Sequence, residues 1–289
     1  MDAWRIHYDM EQETIIYFYS VSEQQKAAGR MAAAKRCWFQ NVSLGIRYLG
    51  GRQDEFGVAG CFVPPFYCRN KPWKPQVLSQ TMEEVLHHAE GLTDTFLHPQ
   101  IAAMLTKDYG KQWVPRRNTV QKLVKCMMEQ GASDAISRNG EAVVLLGEIT
   151  NMCWQMEMTR ELLLPYLPKI NRLLIFYEEA AETDIWTELS SHLDDYYYEY
   201  GLVPQLESYA ETADGFRCGK SKCSGVIFDY CEDFRYPKMV PDSTAVYIDM
   251  VSQESKERLL ARRSLQIPYV SPLKYLDTMV KNSYDGLVN

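Results

Sequence analysis

Four acidic positions stand at the ends of short apolar runs: Glu148, Glu178 (with Glu179 beside it), Asp229 and Asp249. Carboxylates brought close together raise one another's pKa, so that one can serve as acid while another serves as base. The same grouping can hold a hard cation such as Mg²⁺ through its oxygens. Whether the four meet depends on which strands are neighbours, and strand order is not written in the sequence. If the strands are separated, or one runs antiparallel, the grouping dissolves. For Glu178 and Glu179 the plain alternative is a solvated pair, or one matched by Lys or Arg.

The first of these acids sits in the turn Leu145-Leu146-Gly147-Glu148-Ile149-Thr150-Asn151. A dinucleotide-binding turn at this point needs G-x-G-x-x-G, for the tight bend, the approach of backbone to pyrophosphate and the close packing of helix on strand. Only Gly147 is present, and Glu148 sets a negative charge where phosphates would lie. Standard NAD or FAD binding is therefore disfavoured, and no other cofactor is indicated. The free N–H groups of a helix start can still hold an anion. The competing explanation is that Thr150 or Asn151 simply caps the helix. The candidate ligand-binding set is Gly147, Glu148, Asn151, Glu178, Asp229 and Asp249, with Glu148 and Asn151 meeting the ligand first. No residue acquires a catalytic role.

Cys218, Cys223 and Cys231 supply three thiols within fourteen residues. The first pair has C-x₄-C spacing, but a zinc site wants a second ligand pair, and the neighbourhood provides no fourth ligand. Cys61 and Cys68 could supply one only if two domains met there. The default is a glycine-bearing hairpin over 213–225 with Cys231 in the core. The histidines form no constellation: His87 and His88 are helix neighbours facing different ways. H-E-x-x-H and G-x-S-x-G are both absent, which removes the usual zincin and serine-hydrolase signals.

The elements that must position these residues are clearest in the second half. Apolar runs at 142–146, 173–177, 226–228, 245–248 and 267–270 are short and partly β-branched or aromatic, the pattern of buried strands in a mostly parallel sheet. Helices are expected at about 151–165 and 184–200, the latter with Ile185, Leu189, Leu193, Tyr196 and Tyr200 on one face and Gly201 as its stop. Leu202–Tyr209 reads as a further strand. Ser271 and Pro272 open a last helix that turns Leu273, Leu276 and Val280 inward. In the run Asp194-Asp195-Tyr196-Tyr197-Tyr198-Glu199-Tyr200, Tyr197 and Tyr198 turn away from the core stripe, as the edge of a core or as a partner surface.

The first half opens as a hairpin, with strands at 4–9 and 14–21. A helix over 23–36 and strands at 42–49 and 57–63 follow, the last two separated by Gly50-Gly51. Residues 67–76 are expected as an extended loop, part of a Pro-Trp segment (64–73) suited to covering a cleft. Helices are expected at 81–90, 99–107 and 119–130, with Gly131 ending the last. The small polar stretch 132–140 is the best linker in the chain.

A chain of 289 residues can form two domains or one large one, and 46% hydrophobic against 24% charged residues is ordinary for a globular protein. The net charge of −7 and the want of a long basic block argue against nucleic-acid binding. No apolar run approaches the ~18 residues that span a bilayer, and no signal layout opens the chain. The expectation is a cytoplasmic protein with reduced cysteines and no membrane partner.

These observations predict an α/β protein of two domains. The first, 1–134, is α+β. The second, 135–289, is a Rossmann-like, mostly parallel sheet flanked by helices. The leading function is binding of a small polar ligand at the carboxyl edge of that sheet near the domain interface, with enzymatic chemistry left open. The alternative is a non-catalytic interaction module that has lost cofactor binding, acting as a homodimer through the Tyr-rich helix or the Pro-Trp loop.

Overall fold

The computed structural model describes residues 14–20, 47–52, 57–63, 72–88, 93–105, 107–113, 115–147, 151–178, 191, 193–194, 196–209, 225–232, 245–251 and 269–285. The expected elements at 4–9 and 23–36, most of the Pro-Trp segment, and Cys218 and Cys223 lie outside these residues. The chain forms two compact units. One is Met1–Thr119 with Leu276–Asn289, and the other is Val120–Tyr275. No helix among the described residues is long and apolar enough to cross a membrane.

The first unit contains a four-stranded sheet. Its strands are β1 (Thr14–Tyr19), β2 (Arg47–Arg52), β3 (Gly57–Phe62) and β4 (Thr93–Leu97), in the order β2-β3-β1-β4. β1 pairs in parallel with β3 and β4, and β2 pairs antiparallel to β3. Ile15 to Tyr19 are all buried, as a strand with neighbours on both sides requires. β2 runs straight through Gly50 and Gly51, which the sequence marks as a separator. Gly50 stands opposite Ala59 and Gly51 opposite Val58, so the backbone ladder to β3 continues where side chains are missing. β4 has no counterpart among the expected elements. Its Thr-Asp-Thr start hides a strand whose Phe96 alone is a buried hydrophobe.

Helix α1 (Pro75–His88) begins six residues before its expected start. Pro75 stands at the first helical position, where its fixed φ and missing N–H suit the helix rather than a loop. It buries Leu78, Met82 and Val85 at i, i+4 and i+7 against Phe18, Trp73 and Trp113. The short helices α2 (Pro99–Met104) and α3 (Lys107–Gly110) follow. His98 caps α2, its Nδ1 accepting from the Gln100 N–H at 3.2 Å.

The second unit is built on a six-stranded sheet that is parallel throughout. Its strands are β5 (Glu141–Leu145), β6 (Arg172–Tyr177), β7 (Gln205–Ser208), β8 (Val226–Asp229), β9 (Val246–Asp249) and β10 (Tyr269–Val270). The spatial order is β10-β9-β8-β5-β6-β7. Counting strands within the unit, this is the 3-2-1-4-5-6 order of doubly wound α/β sheets. Each expected apolar run is a strand here. β5, β8 and β9 are buried at every position, as strands covered on both faces must be.

Helix α4 (Arg117–Met127) does not stop at Gly131. It passes through a π-helical turn (Met128–Ala132) into α5 (Ser133–Asn139), the segment expected as a linker. The reason is burial. Ala132, Ala135 and Ile136 continue the apolar face of Met128 beyond the glycine. A helical glycine costs about 1 kcal/mol, whereas burying one isoleucine side chain returns about 1.5–3 kcal/mol. The stop comes instead at Gly140, whose φ of 61° is left-handed and whose N–H closes onto the Ile136 carbonyl at 2.7 Å. Helix α6 (Met152–Leu163) follows β5, and α7 (Pro272–Asp285) follows β10. The Ser271 hydroxyl accepts from the Lys274 N–H at 3.2 Å at the start of α7.

A packed α5 and a linker respond differently to truncation. Ile136→Ala is expected to cost about 2–4 kcal/mol in urea unfolding of the full chain. A loss under about 0.5 kcal/mol, the range of surface substitutions, would return the segment to a linker.

Candidate functional site

In a doubly wound sheet the helices change faces where strand order reverses, leaving a crevice at the carboxyl ends of the two central strands. Here those strands are β5 and β8. The four strands followed by the candidate acids, β9, β8, β5 and β6, are consecutive and parallel, which meets the condition the sequence left open. They form a row and not a knot. Neighbouring strands lie about 4.8 Å apart, so the outer two of the four are separated by about 14 Å. One cation, with oxygens at about 2.3–2.6 Å, reaches only part of such a row.

The structure gives each candidate its own setting. Asp229 and Asp249 face each other in register across β8 and β9, and both are 0% exposed. The two carboxylates are held in the same way. One oxygen of each accepts the backbone N–H two residues on: Asp229 Oδ1 from Cys231 at 2.8 Å, and Asp249 Oδ1 from Val251 at 3.0 Å. The other accepts a tyrosine hydroxyl from the next strand, Asp229 Oδ2 from Tyr247 and Asp249 Oδ2 from Tyr269 (2.6 Å for the latter). Register explains the repeat. Tyr247 stands opposite Ile227 and Tyr269 opposite Tyr247, so each hydroxyl reaches diagonally to the acid two places further along the neighbouring strand. The two rings stack at 5.7 Å, and the Lys274 ammonium lies 5.4 Å from the centre of the Tyr269 ring.

Burial first, and then the charge of Asp229, drives the Tyr247 hydroxyl far above its ordinary value of 10.0. It therefore stays protonated and keeps donating.

Gly147 is buried and pressed against β8. A Cβ on it would lie 2.3 Å from the Tyr230 carbonyl oxygen. Its N–H donates to Gln155 Oε1 on α6 at 2.8 Å. The Thr159 hydroxyl gives its proton to the Gln155 carbonyl (2.8 Å), so at 2.9 Å from Tyr230 the tyrosine must be the donor. Trp154 meets the Tyr230 ring edge-on at 6.0 Å. On the other face of the strand end, the Tyr209 hydroxyl donates to the Leu146 carbonyl at 3.0 Å, and Cys231 Sγ lies 3.4 Å from the same oxygen. Gln155, Thr159, Tyr209 and Tyr230 thus clamp the ends of β5 and β8. Sequence reasoning missed all four. Only the i, i+4 spacing of Gln155 and Thr159 on the otherwise apolar buried face of α6 hinted at a shared partner.

Asn151 is exposed at the N-cap of α6, and its side chain makes no capping hydrogen bond. Glu178 is exposed at the end of β6. Glu148 lies outside the described residues, as does Thr150. Cys231 is buried against Leu146 and Tyr209. Among the described residues, no three His, Cys, Asp or Glu side chains gather as a metal site. The sequence of the turn departs from the dinucleotide-binding motif. The second and third glycines of that motif are absent, and the single glycine is filled from behind by Tyr230.

No family model and no curated protein matches the chain. Among solved structures it is similar to a shikimate 5-dehydrogenase from Listeria monocytogenes in complex with shikimate and NAD. The TM-score is 0.34 and the identity 9%, over 96% of this chain and 92% of that one. It is also similar to an N-acetyl-L-ornithine transcarbamylase variant complexed with carbamyl phosphate and N-succinyl-L-norvaline. There the TM-score is 0.34 and the identity 5%, over 96% and 89% of the two chains. The fold assignment rests on strand order and register, and these likenesses add nothing to it.

Two outcomes follow from the clamps. Gly147→Ala is expected to destabilise the protein by about 1–3 kcal/mol, because backbone and not a flexible side chain opposes the new methyl; unchanged urea unfolding would contradict the packing. Tyr247→Phe is expected to cost about 1.5–3 kcal/mol near pH 7, the range for a hydrogen bond to a charged group. Its pH dependence has a fixed sign. A tyrosine raised in the folded state contributes fully below pH 10, and that contribution falls by about 1.4 kcal/mol per unit as pH rises further, because the unfolded chain ionises first. Unfolding at pH 8, 9, 10 and 11 should therefore show the wild type and Tyr247→Phe converging above pH 10; parallel curves would contradict it.

Proposed function

We propose that the chain binds a small polar ligand at the carboxyl edge of its six-stranded sheet, beside the reversal between β5 and β8. The observation that carries this reading is the strand order itself. Sheets of this order bind ligands outside the strand ends at the reversal, for a geometric reason: helices leave in opposite directions there and open a crevice. Asn151 and Glu178 are exposed at that edge, and Glu148 follows the same turn in sequence. The exposed amide of Asn151 and the first N–H groups of α6 suit an anionic or hydrogen-bonding group. Asp229 and Asp249 would act from behind, holding the strand ends through Tyr247, Tyr269 and the turn amides. Gly147 would hold the floor of the turn against Tyr230.

A second reading, a non-catalytic interaction module, is favoured by one observation: Tyr197 and Tyr198 are well exposed. Reaction chemistry is assigned under neither reading, since fold alone does not supply it.

The test is a thermal-shift screen of the full chain against nucleotides, dinucleotides, S-adenosylmethionine, sugar phosphates and divalent metals. A ligand at about 100 times its Kd adds about 2.7 kcal/mol. One compound class other than dinucleotides is expected to raise Tm, and Asn151→Ala is expected to weaken that response about tenfold or more without lowering Tm of the free protein. A response indifferent to Asn151 overturns the placement of the site, and a flat screen with controls responding favours the interaction module.

A further inference from the structure

Residues 173–216 contain eleven acidic residues and neither lysine nor arginine. The rest of the chain is therefore net positive, against a total of −7. This acidic segment includes the end of a helix, residues 196–200, and the strand β7. The two are joined at Gly201, where the Gly201 N–H closes onto the Tyr197 carbonyl at 2.9 Å.

β7 is the terminal strand of the six-stranded sheet. It pairs with β6 from Gln205 to Ser208, and no strand lies beyond it among the described residues. Natural edge strands are blunted with lysine, proline or a bulge. β7 is four residues long, with no lysine or proline within Gln205–Ser208; Pro204 precedes it and Glu207 gives it one charge. Within the ten residues 197–206, four large hydrophobic side chains stand in solvent: Tyr197 at 54% exposure, Tyr198 at 80%, Val203 at 65% and Leu206 at 39%. The rings of Tyr197 and Tyr198 meet edge-on at 5.3 Å. Asp194 and Glu199 are exposed among them, and Glu207 is half-buried on β7 itself.

We propose that the edge of β7, unpaired among the described residues, with Tyr197, Tyr198, Val203 and Leu206, docks an extended segment of another protein bearing lysine or arginine between apolar residues. Charge selects this occupant. A second copy meeting this face with its own would bring acidic surface onto acidic surface, which costs free energy wherever like charges meet. Nucleic acid and anionic membranes are repelled by the same acids. A basic extended segment satisfies three features together. Its backbone continues the ladder of β7, its apolar side chains cover Val203 and Leu206, and its cations lie over the tyrosine faces beside Asp194 and Glu199. The inference is independent of the ligand proposed at the carboxyl edge.

The experiment pans a displayed library of random twelve-residue peptides against the immobilised full chain, with a Tyr198→Ser/Leu206→Lys variant for counter-selection. Both substitutions are at exposed positions, and equal melting curves confirm that the variant folds. A second variant, Val203→Asp, tests the surface independently. The expected result is enrichment of sequences in which Lys or Arg alternates with apolar residues. They should bind wild type at least about tenfold more tightly than either variant, and weaken severalfold between about 50 and 300 mM salt. The proposal is overturned by no enrichment over the variant, by enrichment of neutral or acidic sequences, or by binding indifferent to all three substitutions. It is also overturned if sedimentation shows a wild-type dimer that Tyr198→Ser/Leu206→Lys dissolves, which gives the edge to a second copy.

Discussion

The second unit depends on the contact between the ends of β5 and β8. These strands are separated by eighty residues of sequence yet lie side by side in parallel, and the sheet grows outward from them in both directions. Gly147 is what lets the chain leave β5 there. Its missing side chain makes room for the Tyr230 carbonyl, and its N–H is bound by Gln155 at the start of α6. One residue thus ties a strand, its partner strand and the following helix. In a dinucleotide-binding sheet, a glycine at this turn lets backbone approach pyrophosphate. Here the space on its buried side is taken by the protein, so the same residue type in the same place serves packing.

The buried acids obey the same logic one and two strands away. A carboxylate removed from water needs its oxygens bound, and an unpaired one is far more costly than the packing around it can offset. Asp229 and Asp249 each solve this with a turn amide and a tyrosine hydroxyl. Tyrosine suits the task because its ring adds to the apolar stack while its hydroxyl reaches the acid. Each pair also fixes register. Sliding a strand by one residue would turn the acid to the opposite face and strand the hydroxyl. The acids that look most chemical in the sequence therefore pin the strand ends.

The apolar runs of β5, β6, β8 and β9 are legible because strands buried on both faces admit almost nothing polar. The carboxyl-terminal positions of Asp229 and Asp249 are legible for the same reason, as the first polar residues after such runs. Their partners are not, because Tyr247 and Tyr269 come from neighbouring strands and pairing is a long-range property. Strand order is hidden likewise. β4 escapes notice because Thr93, Asp94 and Thr95 carry no apolar signal, although their backbone pairs with β1 as well as any. The helix through Gly131 escapes because a local stop signal of about 1 kcal/mol is outweighed by the burial of Ile136, five residues further on.

What remains in solvent is then informative. Asp229, Asp249 and Gly147 are enclosed, whereas Asn151 and Glu178 are exposed among the described residues of the carboxyl edge. These are an amide at a helix start and one carboxylate. At the far edge of the sheet, four large hydrophobic side chains stand among acids. The same fold that binds both buried aspartates twice leaves Tyr198 80% exposed. The contrast is between an enclosed centre and an apolar, acidic rim, and it is on that rim that the docking proposal stands.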